Sequence, residues 1–392
     1  VAGFVMAETP PPAAGDNGAM HVAISLAGVL KAVVVTETTL PLAKSAGLQL
    51  LADVRQVSLL DTFEKYKANF SQTVLLNQQV SNLQHTTDYA VYAKAFALYD
   101  AELTMPLAQA ALARLRRDTV SMVFGWASEV NFVSSASRFG HAVLCSDATA
   151  NLPLFSNFPQ PTKSKQDATA QRSANHPVLL KTANKTSNVK CTLPRDTHVV
   201  SFMFTDGDSL TWDEGQFVSP DKDWWGSKNR GLIPLTWTFQ PALSELDPYF
   251  LNFVQQNASD KDTLIVGPSG AGYAYLDQFP SSQARETFAA WTMANIEKSG
   301  LHNMINQIQV GVFDASLEQE LITQPNPPEA VFVDEYFKLT LKGSSILLAN
   351  NFTVATSRRH CLSKSFGDVT PETVVEVLNS ADKSPRNSFD QS

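Results

Sequence analysis

The stretch Val199–Trp212, VVSFMFTDGDSLTW, decides how this chain is read. β-Branched and aromatic residues run from Val199 to Phe204 and then give way to Asp206-Gly207-Asp208. Such a run reads as a buried strand that delivers two carboxylates to its C-terminal end. Parallel α/β folds carry their chemistry at that end of the sheet.

Working outward, the downstream sequence repeats the arrangement. Strand-like runs lie at Leu232–Trp237, Thr263–Val266, Ile308–Phe313 and Val331–Val333, and a hairpin-like pattern at Ile346–Thr356. Between them, helical spacing covers Pro248–Gln256, with Asp247 as N-cap, and Ser282–Lys298, closed by Gly300. Alternating strands and helices predict a parallel sheet with crossover helices, open or closed into a barrel. A full eightfold barrel takes about 250 residues, and the C-terminal part, 194–392, has room for roughly five or six strand units.

Upstream, 157–193 is rich in Ser, Thr, Asn, Gln and Lys and reads as a linker. The N-terminal part, 1–156, opens with the loop Thr9–Asn17, followed by a helix over His21–Leu30 and a strand at Val33–Val35. Helical spacing recurs over Asp88–Tyr99 and Pro106–Arg117, with short strands at Val120–Trp126 and His141–Cys145. This predicts two small α/β units. The expected fold class is therefore α/β: small N-terminal α/β domains followed by an incomplete TIM-barrel-like (β/α) C-terminal domain.

Bulk properties narrow the partners. The chain has 392 residues, 44% hydrophobic and 17% charged, with a net charge of -8. That balance argues against nucleic acid or an anionic membrane surface and favours a neutral or cationic ligand. Lys31 interrupts the longest apolar stretch, Val22–Val35, so no membrane insertion is expected. Cys145, Cys191 and Cys361 form no paired framework, and the seven histidines show no metal-ligand spacing, so no metal or cofactor is expected. Sequons beginning at Asn69, Asn184, Asn257 and Asn351 permit a secretory route, and the first residues carry no leader, as in a fragment.

Asp206 and Asp208 are the first candidates for chemistry: two carboxylates at a strand end can hold sugar hydroxyls or divide acid and base roles. Leu210 at the next ligand position argues against a calcium loop. Asp314, after Ile308–Phe313, and Asp334 with Glu335, after Val331–Val333, are candidate second carboxylates, and each also suits a helix cap. The loop Gly267–Tyr275, GPSGAGYAY, lacks the phosphate-binding and dinucleotide spacings. Ser269, Gly270 and Gly272 would let backbone approach a ligand, with Tyr273 and Tyr275 offering ring faces and hydroxyls. Trp212, Trp224, Trp225 and Trp237 add aromatic surface suited to stacking on sugar, although Trp237, within a strand pattern, reads as core. Trp126 and Glu129 in GWASEV suggest a site or simply a helix start.

Two resemblances follow. Asp206-Gly207-Asp208-Ser209 after an apolar strand resembles the nucleophile loop of haloacid dehalogenase-like phosphatases, which would require a lysine at a later strand end. Gly270-Ala271-Gly272-Tyr273-Ala274-Tyr275, together with Ser201–Trp212, resembles the GxGYxYP family of proposed glycoside hydrolases, with Leu276 where the family has proline. Arg230–Pro234 with Trp237, and Gly125-Trp126 with Glu129, are similar to family features too. The resemblance implies small α/β domains before a barrel-like domain that stops short of the family's last elements, and a carbohydrate ligand. In it Asp206 and Asp208 match the acidic motif, and Tyr273 and Tyr275 the signature. The expected activity is glycosidic hydrolysis by carboxylates; the alternatives are carbohydrate binding without turnover and phosphate-ester hydrolysis.

Overall fold

The computed structural model describes residues 1–8, 18–82, 85–158, 201–219, 224–311, 314–335, 344–347, 353–356, 370, 372, 375–376 and 379. From residue 159 onward the expected linker lies outside them, as do Val199, Val200, Phe313, Cys191, Cys361 and the polar tail.

Among the described residues the strands form three sheets. In the first, β1 (Gly3–Met6) lies between β2 (Ala32–Val35) and β3 (Leu50–Asp53), all parallel. The second is parallel with order β5-β4-β6-β7, where β4 is Val74–Asn77, β5 Phe96–Leu98, β6 Met122–Gly125 and β7 Ala142–Leu144. The third follows the order β13-β14-β12-β11-β10-β9-β8. Its members are β8 (Met203–Phe204), β9 (Leu235–Phe239), β10 (Asp262–Val266), β11 (His302–Gln309), β12 (Ala330–Glu335), β13 (Ser344–Leu347) and β14 (Thr353–Thr356). Only β13 runs antiparallel, in the hairpin read from the sequence. The chain is thus mixed α/β with parallel sheets, the third curled into a half-barrel.

Local chemistry sets these elements. Asp247 caps the helix Pro248–Asn257, its Oδ1 accepting from Phe250 N at 2.9 Å. The helix Ser282–Ser299 starts at Ser281, whose hydroxyl accepts from Ala284 N, and stops at Gly300 with φ 73°. Two expectations are corrected. The helical pattern at Asp88–Tyr99 ends at Lys94, φ 55°, and the next residues form β5, because Phe96–Leu98 bury completely beside β4. Likewise β11 starts at His302 rather than Ile308; its polar residues Asn306, Gln307 and Gln309 are buried, which conceals a strand pattern.

The three sheets share cores. The helix Ala19–Leu30 is welded to the second sheet: Ser25 Oγ accepts from Ala97 N at 2.9 Å, and His21 Nε2 meets Gln78 O at 2.9 Å. Loops of the third sheet cover the open edge of β7, where Val143 and Tyr273 exchange both backbone hydrogen bonds, at 2.8 and 2.9 Å. Further along, Leu210 N donates to Cys145 O at 2.9 Å. Pairing an exposed edge in this way removes its free backbone groups. One buried cluster accordingly contains Val5, Leu75, Val143, Tyr273 and Tyr275.

Candidate active site

The end of β8 meets the ends of β6 and β7 at this junction. Gly207 lies flat on β9: its N donates to Thr238 Oγ1 at 3.2 Å and its carbonyl accepts from Gln240 N at 3.0 Å. A Cβ there would sit 1.8 Å from Thr238 O, so only glycine permits the approach. The turn points Asp206 outward and buries Asp208, which is 7% exposed. Burial, then the Asp206 and Glu129 carboxylates, push the Asp208 carboxyl well above the usual range.

Beyond Ser209, whose Oγ accepts from Trp212 N at 3.2 Å, the chain makes a π-turn, Asp213–Phe217. Asp213 is fully buried and neither carboxyl oxygen has a hydrogen-bond partner among the described residues. Burial, then Asp208 and Glu214, push its carboxyl well above the usual range, and burial followed by Asp247 pushes Glu214 up to about 8. The Cys145 thiol, 3.4 Å from Ser209 Oγ, is pushed up by burial and by Asp208, which makes it a poor nucleophile. Among the described residues no group of three or more His, Cys, Asp or Glu side chains is placed to hold a metal ion.

The loop after β10 completes the junction. Gly272 is pressed against the second sheet, where a Cβ would fall 2.7 Å from Ala142 Cβ, and Gly270, φ 146°, is pressed on Thr292 and Phe288. Ser269 closes the loop: its N donates to Gly272 O at 3.1 Å. Tyr273 and Tyr275, 2% and 0% exposed, point their hydroxyls toward each other at 3.1 Å. Tyr273 Oη donates to Glu129 Oε1 at 2.8 Å, and its ring stacks on Trp126 at 6.1 Å between centroids. Burial, then Tyr275 and Glu129, push the Tyr273 phenol far up, so it stays a donor. The tyrosine rings are therefore covered by protein, and only their hydroxyl line leads to the site.

Other residues singled out from the sequence sit elsewhere. Trp212 stacks on Phe204 at 4.7 Å, and with Phe217, Trp225 and Trp237 it fills an aromatic core beside β8 and β9; Trp224, 38% exposed, is its rim. Trp237 is buried and its Nε1 donates to Asp262 at 2.8 Å. Asp314 is exposed and caps the turn Ala315–Glu318, accepting from Ser316 N at 2.9 Å. Asp334 is buried, receiving Asn306 Nδ2 at 2.8 Å. Glu335 closes β12, and its side chain lies outside the described residues. The structure thus brings together Asp206, Asp208, Tyr273 and Tyr275. It adds two groups: Asp213, hidden in an irregular turn with no sequence signal, and Glu129, which GWASEV did flag.

Parallel sheets whose strand ends bring Asp206 and Asp208 together define a mixed α/β protein with a carboxylate cluster at a strand end. The chain belongs to the GxGYxYP family. Residues 2–70 match its N-terminal second domain, 72–157 its third domain, and 196–391 the "GxGYxYP putative glycoside hydrolase C-terminal domain". The crystal structure of a "putative hydrolase" from Bacteroides thetaiotaomicron VPI-5482 shares the fold with a TM-score of 0.77 at 23% identity, over 97% of this chain and 70% of that one. No curated protein matches the sequence.

Proposed function

We propose that this chain hydrolyses glycosidic bonds, with Asp208 as the proton donor. The observation that carries the reading is a buried carboxyl, pushed well above the usual carboxylate range, beside the exposed Asp206, at the end of β8 and inside the region matching the family's C-terminal domain. A glycosidase needs one carboxyl protonated and another ionised at the same pH, and differing environments supply that split. Asp208 protonates the leaving oxygen, while Asp206, at the mouth, accepts hydrogen bonds from sugar hydroxyls. In this reading the third sheet is the wall of an incomplete (β/α) barrel whose strand ends carry the site.

The phosphatase alternative requires a lysine at a later strand end. Among the described residues, β9, β10 and β11 are followed by Gln240, Gly267 and Val310, none of them lysine. Among the described residues no helix is long and apolar enough to cross a membrane.

The test is leaving-group dependence on a panel of aryl glycosides and oligosaccharides. Asp208→Asn should lose about 10²- to 10⁴-fold on poor leaving groups, and far less on dinitrophenyl glycosides, which need no proton. Equal loss on both would remove Asp208 as the acid.

A further inference from the structure

We propose that Glu129 is the second reacting carboxylate of this site, supplied by the second sheet and aimed by the signature tyrosines; the inference rests on the glycosidase reading above. Glu129 opens the helix Glu129–Ser137, directly after β6. In the order β5-β4-β6-β7 the chain leaves β4 to one side and returns on the other, so the crevice beyond the ends of β4 and β6 is the switch point where open parallel sheets bind ligands.

The helix is held rigidly. Phe132, Val133 and Ala136 are fully buried, and Ser137 Oγ accepts from Tyr275 N at 3.0 Å. From that base the half-buried Glu129 receives the Tyr273 hydroxyl at 2.8 Å, and Tyr273 is braced by Tyr275 and by Trp126. Such support fixes a carboxylate to the precision that catalysis requires. The Asp206 and Glu129 carboxylates act electrostatically on Asp208, and the charge of Asp208 acts in turn on Cys145, Asp213 and Tyr273.

A tether between sheets would be served equally by glutamine, which also accepts from a phenol. A carboxylate instead raises the Asp208 carboxyl and favours its protonated form, which glutamine would not do. As catalysis it has a use. Asp208 gives its proton to the leaving oxygen as the bond from the anomeric carbon to that oxygen breaks. Glu129 takes a proton from water as the water oxygen bonds to the anomeric carbon, so one water is consumed per bond cleaved.

Two readouts on the full chain test this. In pH-difference infrared spectra, Asp208→Asn identifies the carbonyl band of the protonated acid; Glu129→Gln should move its titration to lower pH. In hydrolysis of 2,4-dinitrophenyl glycosides, Glu129→Ala should lose at least about 100-fold in kcat/KM, with azide restoring turnover and yielding a glycosyl azide. An unmoved infrared titration overturns the proposal whatever the kinetics. A moved titration with a fully active Glu129→Ala reduces Glu129 to a tether. A moved titration with a wild-type protein that cleaves no glycoside overturns the hydrolase reading, and with it the reacting role of Glu129. Circular dichroism of each variant confirms the fold.

Discussion

Replacing Tyr273 with phenylalanine removes a single oxygen from the junction between the second and third sheets. That oxygen donates to Glu129 at 2.8 Å and lies 3.1 Å from the Tyr275 hydroxyl, while the ring itself is 2% exposed. A hydrogen bond to a charged partner contributes about 1.5–3 kcal/mol. The half-buried Glu129 can turn to water and recover part of this, and the buried Tyr275 hydroxyl loses one hydrogen bond, at about 1 kcal/mol. The ring still fills its place, so no cavity term enters. The expected net destabilisation is about 2 kcal/mol. Urea unfolding followed by tryptophan fluorescence and circular dichroism reads it directly. A double-mutant cycle with Glu129→Ala, which removes the acceptor, should give a coupling of about 1 kcal/mol. A change below about 0.5 kcal/mol, or strict additivity of the two substitutions, would refute the bridging geometry.

Gly207→Ala forces a methyl group within 1.8 Å of the Thr238 carbonyl oxygen and should destabilise by at least about 3 kcal/mol; an unchanged melting temperature would show that the turn does not lie on β9. Glu318 is fully buried beside Gln307 and is pushed up to about 8, mainly by burial, from an ordinary value of 4.5. Its folded form keeps a proton that the unfolded chain releases, so stability falls as pH rises from 4.5 to about 8, and the cost at pH 7 is about 3 kcal/mol. Glu318→Gln should therefore stabilise increasingly over that window, and a stability gain independent of pH would contradict the burial argument. Arg230 pairs with the buried Asp262 at 2.6 Å and lies 4.2 Å over the Trp225 ring, so Arg230→Met should cost about 3 kcal/mol in urea unfolding, through the charge stranded on Asp262.

The third sheet was legible where the pattern was apolar and the caps were explicit. Asp247, Ser282–Lys298 and Gly300 read correctly because local chemistry alone fixes them. Strands β1, β3 and β4 escaped notice: four residues each are too short for period-two alternation to register. At β11 the buried amides of Asn306, Gln307 and Gln309 hid the strand, since burial there is set by neighbours rather than by hydropathy. At the site, Asp206 and Asp208 were visible because a strand end announces them. Tyr273 and Tyr275 were visible as a motif, but not their burial, which depends on β7 lying alongside more than a hundred residues earlier in the chain. Asp213 left no trace, because an acid next to Glu214 in an irregular turn resembles any charged surface pair.

The most direct test of a carboxylate glycosidase built at this junction is hydrolysis of candidate oligosaccharides in heavy-oxygen water, with mass spectrometry of the products from wild-type protein and Asp208→Asn. The account predicts reducing sugars labelled at the anomeric carbon from the wild type, and their near-complete loss in the variant when the leaving group is a sugar. Binding of the same oligosaccharides with no labelled product from either protein would contradict it.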